Sequence, residues 1–162
     1  MYTKTDSEPL VGYVDSDFAN DVNDRKSVGG FIFKVYGNTI MWKPKKQTVV
    51  ALSSAEAEYI ALALCCAECL FLLKLLNELI SVTITPVTIN EDNQSCIKMA
   101  STLETKRTKH VDVKYHFVKE LVSERKILLK YIQTENQLAD ILTKSLPYPR
   151  FKRLSQELGV KE

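Results

Sequence analysis

The sequence predicts one α/β domain whose sheet contains both antiparallel and parallel strands. Two observations indicate this class: three short strand patterns precede a long apolar helix, and a further strand and helix follow it. The first pattern is typical of an antiparallel meander, whereas two strands separated by a helix form a parallel crossover. With 162 residues, the chain can bury roughly 70% of its unfolded surface in a single core. We place an N-terminal extension at 1–9, the main domain at 10–146 and a C-terminal tail with a short helix at 147–162.

Three strands are predicted before the long helix, at residues 10–15, 31–36 and 39–43. The first is apolar on both faces, which is typical of a strand in the centre of a sheet. Asp15 stands at its end. Gly37 and Asn38 lie between the second and third strands and predict a two-residue hairpin turn. The three strands are therefore expected to form a meander.

The long helix is predicted at residues 49–76, and the rest of the chain is expected to pack around it. Ser53 and Glu56 predict a capping box, in which the hydroxyl and the carboxylate each accept from a free backbone amide. The residues that follow are almost wholly apolar, as in a helix buried in the middle of a fold. The apolar run at 59–73 falls short of the roughly 18 to 20 residues that span a bilayer. Glu58 lies in the first turns of this helix.

Strands and helices alternate over the next part of the chain. Strands are predicted at residues 86–90 and 127–132, and a short helix is predicted at 94–100. Asp92 follows the strand at 86–90 and therefore stands at a strand end, as Asp15 does. Apolar residues at spacings of four, three and four predict an amphipathic helix between these strands; they are Val111, Tyr115, Val118 and Val122.

The C-terminal part of the chain is predicted to be helical. Thr134 with Gln137 resembles a second capping box and predicts a helix through 138–142, which includes Asp140. Pro147 and Pro149 are expected to end that helix. A last short helix, stopped by a glycine, is predicted over Phe151, Leu154, Leu158 and Gly159.

The four cysteines are best interpreted as reduced core residues. Cys65, Cys66 and Cys69 share the long apolar helix, and Cys96 lies in the next predicted helix. A zinc site remains an alternative, but zinc ligands normally come in pairs two residues apart, and no histidine lies near these cysteines. Reduced cysteines suit an intracellular compartment.

The net charge of +2 is unevenly distributed. Any single basic cluster is compatible with a solvated face, whereas several clusters beside acidic residues suggest a polyanionic partner, because lysine and arginine neutralise phosphates. The basic residues fall in three groups: Lys43, Lys45 and Lys46; Lys106, Arg107, Lys109 and Lys114; and Lys144, Arg150, Lys152 and Arg153.

Four acids occupy comparable positions: Asp15 and Asp92 at strand ends, and Glu58 and Asp140 in the first turns of helices. If the strands of Asp15 and Asp92 are neighbours, these two side chains lie together. Two carboxylates about 4 Å apart repel by roughly 4 kcal/mol at an effective dielectric near 20, so such a cluster needs protons or cations. Oxygen ligands favour Mg²⁺ or Mn²⁺, and a pair of ions suits in-line phosphoryl displacement. The spacing alone is equally compatible with four acids scattered over the surface.

Short motifs stand in a specific order along the chain. They include Gly-Tyr-Val-Asp-Ser-Asp at 12–17, Ala-Leu-Ser-Ser-Ala-Glu-Ala-Glu-Tyr-Ile-Ala at 51–61, Glu-Asp-Asn-Gln-Ser at 91–95 and Gln-Leu-Ala-Asp-Ile-Leu-Thr-Lys at 137–144. Further matching segments lie at 24–27, 45–47, 107–112 and 115–117. This set resembles the ribonuclease H (RNase H) domain at the end of the polyprotein of Ty1/copia-type LTR retrotransposons. The resemblance covers nearly the whole chain, from about Leu10 to Gly159.

The resemblance implies an RNase H-like fold: a five-stranded mixed sheet, three antiparallel strands and then two parallel, flanked by helices. It also implies a metal-dependent endonuclease that cleaves the RNA strand of RNA–DNA hybrids during reverse transcription and leaves 3′-hydroxyl and 5′-phosphate ends. The family's catalytic and metal-binding acids match Asp15, Glu58, Asp92 and Asp140, with two Mg²⁺ ions that Mn²⁺ can replace. Glu58 is preferred to Glu56 because it precedes the Tyr-Ile-Ala-Leu run and because Glu56 belongs to the capping box.

The resemblance also implies contacts with the substrate. Ser54 and Gln94 match positions that read the hybrid, including the 2′-hydroxyl of RNA; the alternative is that they cap their helices. A basic linker either binds phosphate or is a solvated surface, and its residues are Lys106, Arg107, Lys109 and His110. Asp17 and Glu91 lie near the acids and are interpreted as turn or supporting residues.

One loop departs from the pattern of related enzymes. Many cellular RNases H carry a mobile histidine before the last acid, which helps protons or products to leave, whereas residues 133–136 contain none. Glu135 can substitute in part, and slow turnover is expected.

The expected partners are an RNA–DNA hybrid and the upstream reverse transcriptase domain of the same polyprotein, with no membrane. The expected location is intracellular, in a cytoplasmic virus-like particle or in the nucleus. Two alternatives remain open. One is a catalytically silent RNase H-like module that binds nucleic acid or protein, and the other is a domain that cuts only with the polymerase domain beside it.

Overall fold

The computed structural model describes residues 8–80, 84–102 and 109–160, and the side chains of all of these except 80 and 109–112. Within these residues one sheet is formed by β1 (Val11–Asp17), β2 (Val28–Val35), β3 (Asn38–Lys46), β4 (Val87–Glu91) and β5 (Ile127–Tyr131). The strand order is β3-β2-β1-β4-β5. The β1–β2 and β2–β3 pairs are antiparallel, and the β1–β4 and β4–β5 pairs are parallel. The α/β fold expected from the sequence, with a mixed five-stranded sheet, is confirmed.

Helices cover both faces of this sheet. They are α1 (Ser54–Ile80), α2 (Gln94–Ser101), α3 (Lys109–Ser123), α4 (Asp140–Thr143) and α5 (Tyr148–Glu157). Because side chains alternate along a strand, β2 contributes to two cores. Phe31 and Phe33 belong to the larger core with α1, α2 and α3. Ile32 packs with Leu138 and Leu154 on the other face.

The start of α1 follows the predicted capping box. The Ser53 hydroxyl accepts from the amide of Glu56 at 3.2 Å. The Glu56 carboxylate accepts from the amide of Leu52 at 2.8 Å, one residue earlier than the box predicts. The Ser53 hydroxyl therefore satisfies an amide that the first helical turn leaves without a partner, and the Glu56 carboxylate satisfies the amide just before the N-cap residue.

The length of α1 is explained by its role as the core helix. By length and composition alone, Ser54–Leu79 could cross a membrane, but half of its most apolar window is buried inside the domain. The three cysteines on this helix, Cys65, Cys66 and Cys69, are buried and free, as is Cys96 of α2. They contribute to the larger core.

The hairpin between β2 and β3 differs from the prediction by one residue. The turn residues are Tyr36 and Gly37, not Gly37 and Asn38, and both have positive φ, 45° and 80°. A two-residue turn that matches the strand twist needs positive φ at both positions. Asn38 instead begins β3, and its Nδ2 donates to the carbonyl of Tyr36 at 3.0 Å. The asparagine thus stabilises the turn from outside it.

The segment before α4 also differs from the prediction. The predicted helix from Thr134 is a short 3₁₀ turn, Thr134–Asn136, without a side-chain cap, and the α-helix begins only at Asp140. Gln137 does not cap this turn, because its side-chain amide donates to the carbonyls of Val14 and Asn90 in the neighbouring strands. Helix α4 ends at Thr143, and Pro147 precedes α5 rather than ending α4. Proline is favoured at a helix start, where no amide partner is lost.

The parallel pairing of β1 with β4 positions the acidic residues. Tyr13 of β1 lies opposite Asn90 of β4. Two residues further along each strand direction stand Asp15 and Asp92. The neighbouring strands assumed in the sequence analysis are therefore present, and their carboxyl ends bring both aspartates to one edge of the sheet.

Candidate metal centre

The four acids predicted from the sequence converge at this edge. Asp15 lies in β1, Asp92 directly follows β4, and Asp140 is the first residue of α4. One carboxylate oxygen from each of these three lies within 4.8 Å of the other two. Glu58 reaches the same place from the first turns of α1, and one of its oxygens is within 4.8 Å of an oxygen of Asp92.

A second group of acids shares Asp92 with the first. Glu58, Glu91 and Asp92 each offer one oxygen within 4.8 Å of the others. The sequence predicts a turn or supporting role for Glu91, whereas the structure places its side chain inside the acid cluster. Asp17, which is also assigned such a role, belongs to neither group found among the described residues.

Most of this cluster is shielded from water. Asp15, Glu91 and Asp140 are fully buried, and Glu58 is 5% exposed. Asp92 is half-buried and gives the cluster its opening to solvent. The cluster is therefore accessible from solvent on the Asp92 side.

Burial makes the charged forms of these acids unfavourable. It raises the pKa of Asp15; Lys144 opposes this effect, and the charge of Asp140 adds to it. Burial, and after it the charges of Glu91 and Asp15, raise the pKa of Glu58. Burial also raises the pKa of Glu91. Without a cation the cluster therefore retains protons that exposed carboxylates would release.

Basic and hydroxyl side chains fix one end of the cluster. The Nζ atom of Lys144 lies 2.8 Å from Oδ1 of Asp15 and 3.0 Å from Oδ1 of Asp140. The Thr143 hydroxyl donates to Oδ2 of Asp15. Arg150 of α5 donates to Oδ2 of Asp140. Both carboxylates are thus held in one orientation.

Gln137 ties the two strands of the site together. It is fully buried, and its Nε2 donates to the carbonyl of Val14 at 2.9 Å and to that of Asn90 at 3.3 Å. The Asn90 amide in turn donates to the carbonyl of Gly12 at 3.1 Å. These bonds join β1 and β4 just before the residues that carry the acids.

The other end of the cluster has acceptors without donors. Oε2 of Glu58 and Oε2 of Glu91 are buried and have no hydrogen-bond partner. The metal-ligand groups found among the described residues contain carboxylates and no cysteine, which suits a hard divalent cation. Oxygens on one Mg²⁺ lie at most about 4.2 Å apart, and the oxygens of each acid group lie within 4.8 Å of one another. The donor set therefore fits Mg²⁺ or Mn²⁺.

The predicted substrate contacts are only partly described. Ser54 and Gln94 are exposed at the first positions of α1 and α2. The helix caps are made by their neighbours, since Ser53 accepts from Glu56 and Asn93 accepts from Cys96. The remaining predicted contacts lie outside the described residues or side chains: Lys106, Arg107, Lys109 and His110.

The sequence analysis gave Glu91 only a supporting role and gave Lys144 no role at the acids, although a signal exists for each. Glu91 follows Val87 and Ile89 at intervals of two, so it shares their buried strand face. Lys144 follows Asp140 by four residues, a spacing that brings side chains together on a helix. Gln137 gives no comparable signal, because its partners are carbonyls of two distant strands.

Comparisons with known proteins give several relatives that align over nearly the whole chain, among them the three that follow, while no protein-family model matches it. It is 36% identical over 156 residues to a retrovirus-related Pol polyprotein from transposon TNT 1-94 of Nicotiana tabacum, covering 95% of this chain and 12% of that protein. It is 34% identical over 152 residues to the retrovirus-related Pol polyprotein from transposon RE2 of Arabidopsis thaliana, and the alignment covers 93% of this chain and 10% of that protein. It is 28% identical over 156 residues to the Ty1-DR1 Gag-Pol polyprotein of Saccharomyces cerevisiae, and the alignment covers 96% of this chain and 9% of that protein. The chain thus spans about a tenth of the length of these relatives.

Solved structures show which fold this segment has. The N-terminal RNase H domain of a Mycobacterium tuberculosis protein, fused to maltose-binding protein, matches with a TM-score of 0.61 at 14% identity, covering 93% of this chain and 98% of that one. The foamy viral protease-reverse transcriptase in complex with an RNA/DNA hybrid matches with 0.60 at 17% identity, 88% and 22% of the two chains. The chain is therefore homologous to a segment of the Pol polyproteins of Ty1/copia-type retrotransposons, and this segment has the fold of RNase H domains.

Proposed function

We propose that this domain cleaves the RNA strand of RNA–DNA hybrids in a reaction that depends on divalent cations. The observation that carries the proposal is the pair of acid groups that share Asp92. Such a pair suits two adjacent ions, as used for in-line displacement at a phosphate. The RNase H fold and the retrotransposon relatives support the hybrid as substrate.

Asp15, Asp92 and Asp140 would hold one ion. Glu58 and Asp92 would hold a second ion, so that Asp92 is a ligand of both. When bound, the ions supply an activated water and stabilise the leaving oxygen. The products of that reaction carry a 3′-hydroxyl and a 5′-phosphate. Mg²⁺ is the expected ion, and Mn²⁺ has the same preference for carboxylate oxygens.

The protein's own part is to keep the acids in place while they are charged. Lys144 neutralises Asp15 and Asp140 from one side. Gln137 prevents the ends of β1 and β4 from separating. Since these contacts exist before any substrate binds, little reorganisation is needed at the moment of reaction.

Substrate is expected to lie across the starts of α1 and α2. Ser54 and Gln94 are exposed there and are not used as caps. Their polar groups can therefore contact the 2′-hydroxyl that distinguishes RNA from DNA. The amide protons at the two helix starts add favourable positive potential for phosphates.

Product release is expected to be slow. Residues 133–136 contain no histidine, and Arg153 fixes this loop by donating to the carbonyl of Glu135 and to Oδ1 of Asn136. Arg150 also donates to the carbonyl of Thr134. A loop that is bonded to α5 is poorly suited to carry a mobile acid or base.

The natural partner proposed for the domain is the reverse transcriptase domain of the same polyprotein. The foamy viral neighbour carries protease and reverse transcriptase in one chain. By analogy, a polymerase domain would deliver the hybrid, in the cytoplasmic particle or the nucleus where reverse transcription takes place.

A panel of labelled nucleic acids tests the proposal. With Mg²⁺, the chain should cut RNA in a hybrid and leave single-stranded RNA, double-stranded RNA and double-stranded DNA intact. EDTA should stop the reaction. Cutting of single-stranded RNA at the same rate would contradict hybrid specificity, and cutting in EDTA would contradict the metal requirement.

The second candidate is a module that binds nucleic acid without cutting it. The exposed Ser54 and Gln94 favour binding, but they do not require chemistry. This module would bind hybrid equally well in Mg²⁺ and in EDTA and leave it intact, even with the polymerase domain added. If the added polymerase domain restores cutting, the domain is an enzyme that binds its substrate too weakly when it is isolated.

A further inference from the structure

Glu91 is the fully buried acid of this cluster that the proposed chemistry does not use. It ends β4 on the same strand face as Val87 and Ile89, both fully buried. That face is covered by α1 and α2, since Glu58 and Cys96 are its neighbours. A carboxylate on an apolar strand face needs partners for both of its oxygens.

Glu91 has one strong hydrogen-bond partner, and beside it the Cys96 thiol offers only a weak donor. Its Oε1 accepts from the amide of Asn93 at 2.9 Å. Its Oε2 has none, and the same is true of Oε2 of Glu58. Both glutamates have an oxygen within 4.8 Å of the other and of Asp92. Two buried acceptors without donors thus belong to one group of three carboxylates.

Protein groups do not supply the missing positive charge at this end. Among the described residues, Lys144 bonds to Asp15 and Asp140, and no basic side chain bonds to Glu58, Glu91 or Asp92. One proton shared by the glutamates would satisfy a single contact and leave Asp92 unchanged. One divalent cation would satisfy all three carboxylates at once.

We propose that Glu91 is a direct ligand of a divalent cation, together with Glu58 and Asp92. This rests on the proposed function, because it concerns the same metal centre, and it adds a fifth carboxylate to the four predicted acids. Affinity for a hard cation rises with the number of charged ligands. Glu91 therefore strengthens binding at the end of the cluster where Lys144 forms no ion pair.

Calorimetric titration of the chelator-treated full chain with Mn²⁺ tests this directly. Glu91→Gln keeps the shape and removes the charge, and Glu124→Gln is the control, exposed and ion-paired with Lys126. We expect Glu91→Gln to weaken one Mn²⁺ site about tenfold or more, and Glu124→Gln to stay within about twofold. Asp92→Asn should weaken Mn²⁺ binding at both groups.

The outcomes separate this inference from the proposed function. If Glu91→Gln binds Mn²⁺ as the wild type does while Asp92→Asn does not, Glu91 is no ligand and the metal-dependent function stands. If the wild type binds no Mn²⁺ at millimolar concentration, both fail. Should Glu91→Gln not fold, as judged by circular dichroism, wild-type crystals soaked in Mn²⁺ decide. An anomalous peak within about 2.3 Å of a Glu91 oxygen supports the inference, and peaks bound only by the other acids overturn it.

Discussion

The ammonium group of Lys144 lies 2.8 Å from Oδ1 of Asp15, and it is also 3.0 Å from Oδ1 of Asp140. Both aspartates are fully buried, so this one side chain offsets part of a repulsion that would otherwise be large. The lysine therefore acts as a monovalent counterion within the cluster where divalent ions are expected. Its contribution should depend on whether metal is bound.

Replacing Lys144 by Met should destabilise the chain more in EDTA than in Mg²⁺. Loss of the ammonium leaves two buried carboxylates without their cation, which we expect to cost about 2 to 3 kcal/mol of unfolding free energy. Mg²⁺ can take over this role and should recover much of the loss. Urea denaturation in both conditions measures it, with Lys126→Met as a surface control. An equal loss with and without Mg²⁺ would show that the lysine is not a counterion at the metal site.

Substitutions of Glu56 and Glu58 should have clearly different effects on stability and on cleavage, although the two residues are only two positions apart. Glu56→Gln keeps the acceptor for the Leu52 amide but removes a negative charge favoured at a helix start, which is expected to cost about 0.3 to 1 kcal/mol, with hybrid cleavage within about twofold of the wild type. Glu58→Gln removes a proposed ligand and should lower cleavage about 100-fold or more. Stability curves and single-turnover cleavage rates measure both effects. Comparable cleavage losses in the two variants would contradict the assignment of Glu58.

Gln137→Leu should loosen the site through the backbone. The change keeps the approximate side-chain volume but leaves the carbonyls of Val14 and Asn90 without a donor. Each unpaired buried carbonyl costs about 1 to 2 kcal/mol, so we expect a loss of about 2 to 4 kcal/mol. Gln156→Leu, exposed on α5, is the control and should stay within about 0.5 kcal/mol. A Gln137→Leu variant as stable as the control would show that the hydrogen bonds of Gln137 to these two carbonyls do not stabilise the site.

Without metal, the stability of the chain should fall as the pH rises above the ordinary glutamate pKa of about 4.3. Burial raises the pKa of Glu58 and of Glu91, so the native state binds more protons than the unfolded state above that pH. Stability is then fully present at lower pH and is lost as the pH climbs. We expect about 1 to 3 kcal/mol less unfolding free energy at pH 8 than at pH 5.5 in EDTA.

Mg²⁺ should reduce this loss at pH 8, because it binds the charged carboxylates. Glu58→Gln should reduce the dependence, since it removes one of the two acids whose pKa burial raises. Urea denaturation at a series of pH values, with EDTA or Mg²⁺, gives the slope. Stability that is constant or increases from pH 5.5 to pH 8 in EDTA would contradict the burial of these acids.

The positions of the predicted acids followed from local patterns. Asp15 ends an apolar strand, Glu58 follows a capping box by two residues, and Asp92 follows a short apolar strand. Strand ends and helix starts are set by nearby residues, so the sequence can locate them. That β1 and β4 are neighbours is a long-range fact, and it was predictable chiefly through the resemblance to RNase H domains.

Other features depend on contacts between distant segments. The pattern of Thr134 and Gln137 matched a capping box, yet the Gln137 amide binds carbonyls of Val14 and Asn90 instead. The depth of Glu91 depends on how α1 and α2 cover β4. Neither contact can be predicted from the local sequence. An acidic residue on an otherwise apolar strand face nevertheless indicates a candidate functional site.

The most direct test of the account is cleavage of a hybrid with labelled RNA by the wild type and by Asp92→Asn in Mg²⁺, at equal bound fractions. We predict that the wild type releases fragments with 3′-hydroxyl and 5′-phosphate ends, alone or with its polymerase domain. The Asp92→Asn variant should bind the hybrid but cut it about 100-fold more slowly or not at all. Equal cleavage by the two proteins would contradict the proposal that ions shared through Asp92 drive the reaction.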